Sequence, residues 1–180
     1  MRVYIPATLA LLRQLVDDGE MRPRSGTAFA VTPALREAYA EGGEDELAEV
    51  AIAEAAMASM RLLAAEGGAE ETGLPLRRVV VVADANAEPR PDLDTAVVRL
   101  SGPVGLDAVA AVYVDNPDAE SAVTAAVAVI DEADLGDEDA ELTVGDAQDH
   151  DLDRADGGAW HAGRRGIKSQ WQWKERTRDR

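Results

Sequence analysis

The chain has 180 residues, with 35 acidic and 18 basic side chains, no cysteine and a formal charge of −17. That length suits one domain, and a hydrophobic fraction of 46% is enough to build a core. The missing cysteines exclude disulfide frameworks, thiol catalysis and Cys-based zinc sites. No apolar run approaches the ~20 residues of a spanning helix, and the opening MRVYIPATLA lacks the basic-then-apolar layout of a leader, so a soluble cytoplasmic protein is expected.

Val3, Ile5 and Ala7 alternate with polar neighbours and predict an opening strand. Thr8 then caps a helix carrying Leu9, Leu12, Leu15 and Val16, which Gly19 ends. GEMRPRSG is expected as a loop and Thr27–Val31 as a second strand. Thr32-Pro33 predicts a helix start at 33–41, because the hydroxyl accepts a free backbone N–H and proline at the first helical position lacks only a donor that had no partner.

Gly42-Gly43 breaks that helix, and Glu44-Asp45-Glu46 opens a longer one to about Ala65, with its acids in the first turn. The large apolar residues of 44–65 do not fall on one stripe, which implies packing on more than one side or a subunit contact. Val79–Val82 predicts a central strand covered on both faces, with Arg77 and Arg78 as its solvated entrance. NAEPRPDLD (86–94) is expected as a loop and Ala96–Leu100 as a strand. A helical turn at Leu106–Ala110 and a strand at Ala111–Val114 follow, and Asn116-Pro117 starts a surface helix with Ala119, Val123, Val127 and Ile130 on one face. Asp131–Glu141 is expected as an acidic turn and Leu142–Val144 as a last, edge strand.

This order predicts an α/β or α+β domain, a mixed sheet of about five to six strands covered by helices, over residues 1–152. The charge divides the chain at the same place. Residues 1–153 carry −22, and residues 154–180 carry +5 together with all three tryptophans and both lysines. The acidic body repels nucleic acid and anionic membrane, so the 153–180 tail is the only stretch suited to a nucleic acid or an acidic partner, through Arg164, Arg165, Lys168, Trp171, Trp173 and Lys174.

MRVYIPATLALL, TAFAVTPALREAY (27–39), the Ala-rich helix ending SMRLLAA, RRVVVVADA and AELTVGDAQDH (140–150) occur in that order. Together they make residues 1–152 resemble a family of short, uncharacterised actinobacterial proteins. The resemblance implies no activity, catalytic residue or cofactor. It stops at Asp153, where proteins like this continue with an apolar, aromatic segment and this chain does not. A shifted reading frame or a sequence-specific extension accounts for the change most simply.

No G-x-G-x-x-G, P-loop or G-x-S-x-G motif occurs, and the only histidines are His150 and His161. DEADLGDED fails three ligand positions of a calcium loop. Asp149-His150-Asp151 is the densest His/carboxylate cluster, although adjacent residues of an extended chain point to opposite sides. Asp84 and Asp115 each follow a predicted strand. If those strands are parallel neighbours, the two carboxylates share a Mg²⁺ or act as an acid/base pair. Tyr4, Thr8, Thr32 and Arg36 complete the polar groups near the first strand ends, the two threonines already serving as caps. The leading expectation is a non-catalytic module working through protein contacts, self-association among them. A carboxylate-based, Mg²⁺-dependent enzyme and a nucleic-acid binder are the alternatives.

Overall fold

A computed structural model of the chain describes residues 1–68 and 73–156. Strand β1 (Arg2–Ala7) leads into helix α1 (Leu9–Asp18), whose N-terminus is capped by the Thr8 hydroxyl accepting from the Leu11 N–H. Gly19 ends the helix at φ +78°, a left-handed conformation in which any side chain is strained. The expected loop after it holds a two-residue strand β2 (Glu20–Met21), followed by β3 (Thr27–Phe29). Helix α2 (Pro33–Ala38) starts at the Thr32 cap, and α3 (Glu44–Ala65) follows the glycine pair, both as expected.

Strands β4 (Val79–Asp84), β5 (Ala87–Pro89), β6 (Val97–Leu100), β7 (Val104–Gly105) and β8 (Val109–Asp115) come next. Helices α4 (Glu120–Asp134) and α5 (Glu138–Gln148) and strand β9 (Leu152–Asp156) close the described chain. Seven strands form one sheet in the order β5-β6-β3-β1-β4-β8-β9, every pair antiparallel, while β2 and β7 pair separately. The fold is therefore α+β. No helix among the described residues is long and apolar enough to cross a membrane.

Alternation along the strands explains the layers. Val79, Val81 and Ala83 of β4 join Val3, Ile5 and Ala7 on the face covered by α1. Val80 and Val82 join Tyr4, Phe29 and Val97 on the face covered by α3. The four valines are buried from both sides, as their unbroken β-branched run requires. Helix α3 meets the sheet through Ala51, Ala55 and Ala56. It turns Met60 and Leu63 toward Val123, Ala126 and Ile130 of α4 and Val144 and Ala147 of α5. Packing on two sides within one chain accounts for its missing stripe.

Five expectations are corrected. Leu142–Val144 is not a strand but the middle of α5. The Asp137 carboxylate accepts from the Ala140 N–H at 2.8 Å, Glu138 and Asp139 favour the helix start, and Ala140, Val144 and Ala147 are buried at helical spacing while Leu142 stays 70% exposed. The acidic turn contracts accordingly to 135–137, with Gly136 at φ +95°. Asn116 forms no side-chain cap; Pro117–Ala119 makes a 3-10 turn and the α-helix begins at Glu120. The 86–94 loop contains edge strand β5, pairing Ala87–Pro89 with Val98–Leu100. Arg77 and Arg78 are not solvated but buried, for reasons given below. Strand β9 lies across position 152, pairing Leu152–Asp156 with Ala111–Asp115, so the sheet takes in residues on both sides of that boundary.

Candidate functional site

The antiparallel register decides what meets at the ends of β4 and β8. Val79 stands opposite Val114, which puts Arg78, just before β4, beside Asp115, the last residue of β8. The Asp115 carboxylate accepts three hydrogen bonds from this one residue: the Arg78 backbone N–H at 2.8 Å, Nε at 2.9 Å and Nη2 at 2.7 Å. Arg78 is 2% exposed and Asp115 fully buried. The forked donor geometry of a guanidinium suits such a bidentate contact. Arg78 Nη2 also donates to the His150 carbonyl at 2.7 Å, tying the end of α5 to the sheet. Arg77 points the other way and donates from Nε to Glu120 at 2.7 Å, fixing the start of α4.

Beside this pair, a cleft of about 440 Å³ opens between α3 and the β8–β9 edge of the sheet. Glu49, Ile52 and Met57 of α3, Tyr113 of β8 and Leu152 of β9 line it, together with Arg78, His150 and Asp151. Ile52, Met57, Tyr113 and Leu152 are only half-buried, so apolar surface is left facing solvent here. Arg154 of β9 lies over the Tyr113 ring, its guanidinium carbon 5.9 Å from the ring centre, a cation–π contact.

The residues expected to carry chemistry do not come together. Because β4 and β8 run antiparallel, Asp84 and Asp115 sit at opposite ends of the sheet, roughly 20 Å apart at ~3.3 Å per residue. Asp84 is exposed and accepts from Arg2 through Nε at 3.1 Å and Nη2 at 3.2 Å. Asp149 is exposed at the C-terminus of α5, and Asp151 is exposed at the cleft mouth. His150 contributes its carbonyl to Arg78 and lines both the cleft and a second hollow of about 330 Å³ between α4 and α5. No group of three or more His, Asp or Glu side chains among the described residues is placed to hold a metal ion, and Asp84 and Asp115 are too far apart to share one. Thr8 and Thr32 act as caps and Arg36 pairs with Glu44 at 2.9 Å. Tyr4 is held above the ordinary tyrosine pKa by burial. Arg164, Arg165, Lys168, Trp171, Trp173 and Lys174 lie outside the described residues.

The hydrogen bonds from Arg2 hold the Asp84 carboxyl below the ordinary aspartate value of 3.8. A depressed folded-state value means that the pair stabilises above the unfolded value and is lost as pH falls through the folded one. Both side chains are largely exposed, so the effect on stability is small. Carboxyl-carbon NMR titration should place the Asp84 midpoint below 3.8, and Arg2→Gln should return it to the ordinary range. An Asp84 midpoint unchanged by Arg2→Gln would show that the pair does not form.

Of the residues that matter most to this region, the sequence assigns Arg78 to the solvent and does not single out the buried Ser59 of α3, whose hydroxyl donates to the Ala7 carbonyl at 2.7 Å and accepts from the Val79 N–H at 3.0 Å. The available signal for Arg78 was an arginine directly against a strand buried on both faces, with an aspartate ending the next apolar strand. Comparison with known proteins adds the family. The profile of a family of unknown function, DUF6912, matches residues 1–157, and the chain belongs to that family. No curated protein and no solved structure matches the chain.

Proposed function

We propose that this DUF6912 domain is a non-catalytic, cytoplasmic binding module that works through protein contacts, and that the cleft between α3 and β9 is its contact face. The observation that carries the reading is the contrast within the cleft. Its buried charge, Arg78, is satisfied by Asp115 behind it, whereas Ile52, Met57, Tyr113 and Leu152 keep apolar surface open to solvent. A volume of about 440 Å³ is within the ~300–1,000 Å³ of ordinary binding clefts. Glu49 and Asp151 at its mouth select a partner segment with basic and aromatic side chains. Self-association is the form this takes where a second copy supplies the segment. The two-sided packing of α3 narrows any such contact to its flank at Ile52 and Met57.

Amide NMR of the full chain separates this reading from the carboxylate enzyme. Titration with a short synthetic peptide of arginine and tryptophan should shift the amides of Ile52, Met57, Tyr113 and Leu152. MgCl₂ should move none of the amides around Asp84 and Asp115 in a saturable way. A peptide without effect on the cleft, or saturable Mg²⁺ shifts at both aspartates, would overturn the proposal.

A further inference from the structure

We infer that a hollow between the N-terminus of α3 and the start of β1 is a second binding site, for a zwitterionic α-amino acid with a small apolar side chain. It is separate from the cleft and does not depend on what the cleft binds.

The sheet builds the hollow. Val3 and Ile5 face α1, so Arg2 and Tyr4 turn to the opposite face, the one that α3 covers. Tyr4 stands opposite Phe29, which brings Ala30 and Val31, just past β3, and Arg36 of α2 to the same side. Glu44, Asp45 and Ala48 from the first turns of α3 complete the lining, around a volume of about 320 Å³.

Tyr4 is the group that points to a ligand. It lines the hollow and is only 9% exposed, yet its hydroxyl has no hydrogen-bond partner among the described residues. Burial holds that hydroxyl above the ordinary tyrosine pKa, so it stays protonated at neutral pH and is available as a donor. A desolvated hydroxyl left unmatched is unfavourable, and a ligand oxygen removes the cost.

Further donors lie around it. The N–H groups of Glu44, Asp45 and Glu46 have no acceptor within the helix and no side chain caps them, at the positive end of a 22-residue dipole. Arg2 commits Nε and Nη2 to Asp84, and Arg36 commits the same two atoms to Glu44, which leaves Nη1 of each without a partner among the described residues. These donors suit a carboxylate. Asp45 lines the same hollow, enters no ion pair among the described residues and suits an ammonium group.

Charge selects the zwitterion over a simple anion. Arg2 and Arg36 are balanced by Asp84 and Glu44, so Asp45 leaves one surplus negative charge, in a chain that carries −17 overall. That field repels a free anion. An amino acid enters without net charge, its carboxylate toward Tyr4 and the helix N-terminus and its ammonium toward Asp45. Ala30, Val31 and Ala48 offer apolar contact to a short side chain.

Amide NMR of the full chain at low salt tests the site with L-valine, with isovalerate and isobutylamine as the matching acid and amine. L-Valine should give saturable shifts at Tyr4, Val31 and Asp45. Isovalerate should bind about threefold more weakly, having lost an exposed ion pair. Isobutylamine should bind about tenfold more weakly, having lost charge-assisted hydrogen bonds to a largely buried group. Tyr4→Phe should weaken L-valine about tenfold without lowering the thermal midpoint, because the hydroxyl makes no hydrogen bond within the described chain. Asp45→Asn should weaken L-valine about threefold and should not weaken isovalerate.

The absence of saturable shifts with L-valine would overturn the inference. Isovalerate binding as tightly as L-valine would make the hollow a plain anion site and overturn it too. A Tyr4→Phe protein that binds L-valine as before, with or without a lower midpoint, would show that the hydroxyl holds no ligand and would overturn it as well.

Discussion

Asp115→Ala is expected to lower folding stability by about 3–5 kcal/mol, because it leaves the Arg78 guanidinium charged, buried and without its carboxylate. The loss reaches beyond one contact. Asp115 also receives the Arg78 backbone N–H, and Arg78 in turn holds the His150 carbonyl, so a single deletion loosens the junction of β4, β8 and the α5–β9 connection together. Urea unfolding at neutral pH should show a lower midpoint with an unchanged slope. The decisive control removes both charges. The double variant Arg78→Met with Asp115→Leu should recover most of the loss, since desolvated pairs are often replaceable by apolar groups of similar volume although half a pair is not tolerated. A cost below about 1 kcal/mol for Asp115→Ala would mean that water reaches the arginine and that the pair behaves like a surface one.

Ser59→Ala, a change of one oxygen atom, should cost about 1–3 kcal/mol, more than its size suggests. The hydroxyl joins the end of β1 to the start of β4, and without it the Val79 N–H and the Ala7 carbonyl lose a buried partner. The substitution leaves little space behind, so the cost comes from unmet hydrogen bonding rather than from a cavity. Hydrogen exchange at the Val79 amide should accelerate along with the fall in midpoint. An unchanged Val79 amide would place its hydrogen bond elsewhere.

How much of this was legible in the sequence depends on whether a feature is local. The Thr8 and Thr32 caps, the glycine pair before α3 and the buried run Val79–Val82 were readable because each is fixed by neighbouring residues. Helix α5 was misread because Leu142-Thr143-Val144 alternates apolar and polar as a strand does. Only the Asp137 cap and the buried set Ala140, Val144 and Ala147 reveal the helical period. The candidate site was the least legible. Placing Asp84 and Asp115 together required a parallel pair, and the antiparallel register instead separates them and brings Arg78 to Asp115. Pairing partners far apart in the chain are not encoded in any short window, so an arginine that reads as solvated can end in the interior.

The sheet order has a kinetic consequence. Strand β1, first in the chain, lies in the middle of the sheet, where Ile5 faces Val81 on one side and Tyr4 meets Phe29 on the other. The largest part of the core therefore depends on contacts between segments that are remote in sequence, and closing such loops slows folding. During synthesis the opening strand must wait until α3 and β4 have emerged before its valine and isoleucine are enclosed. Until then its apolar face is exposed, and this interval is when the protein is most open to aggregation and to chaperone capture.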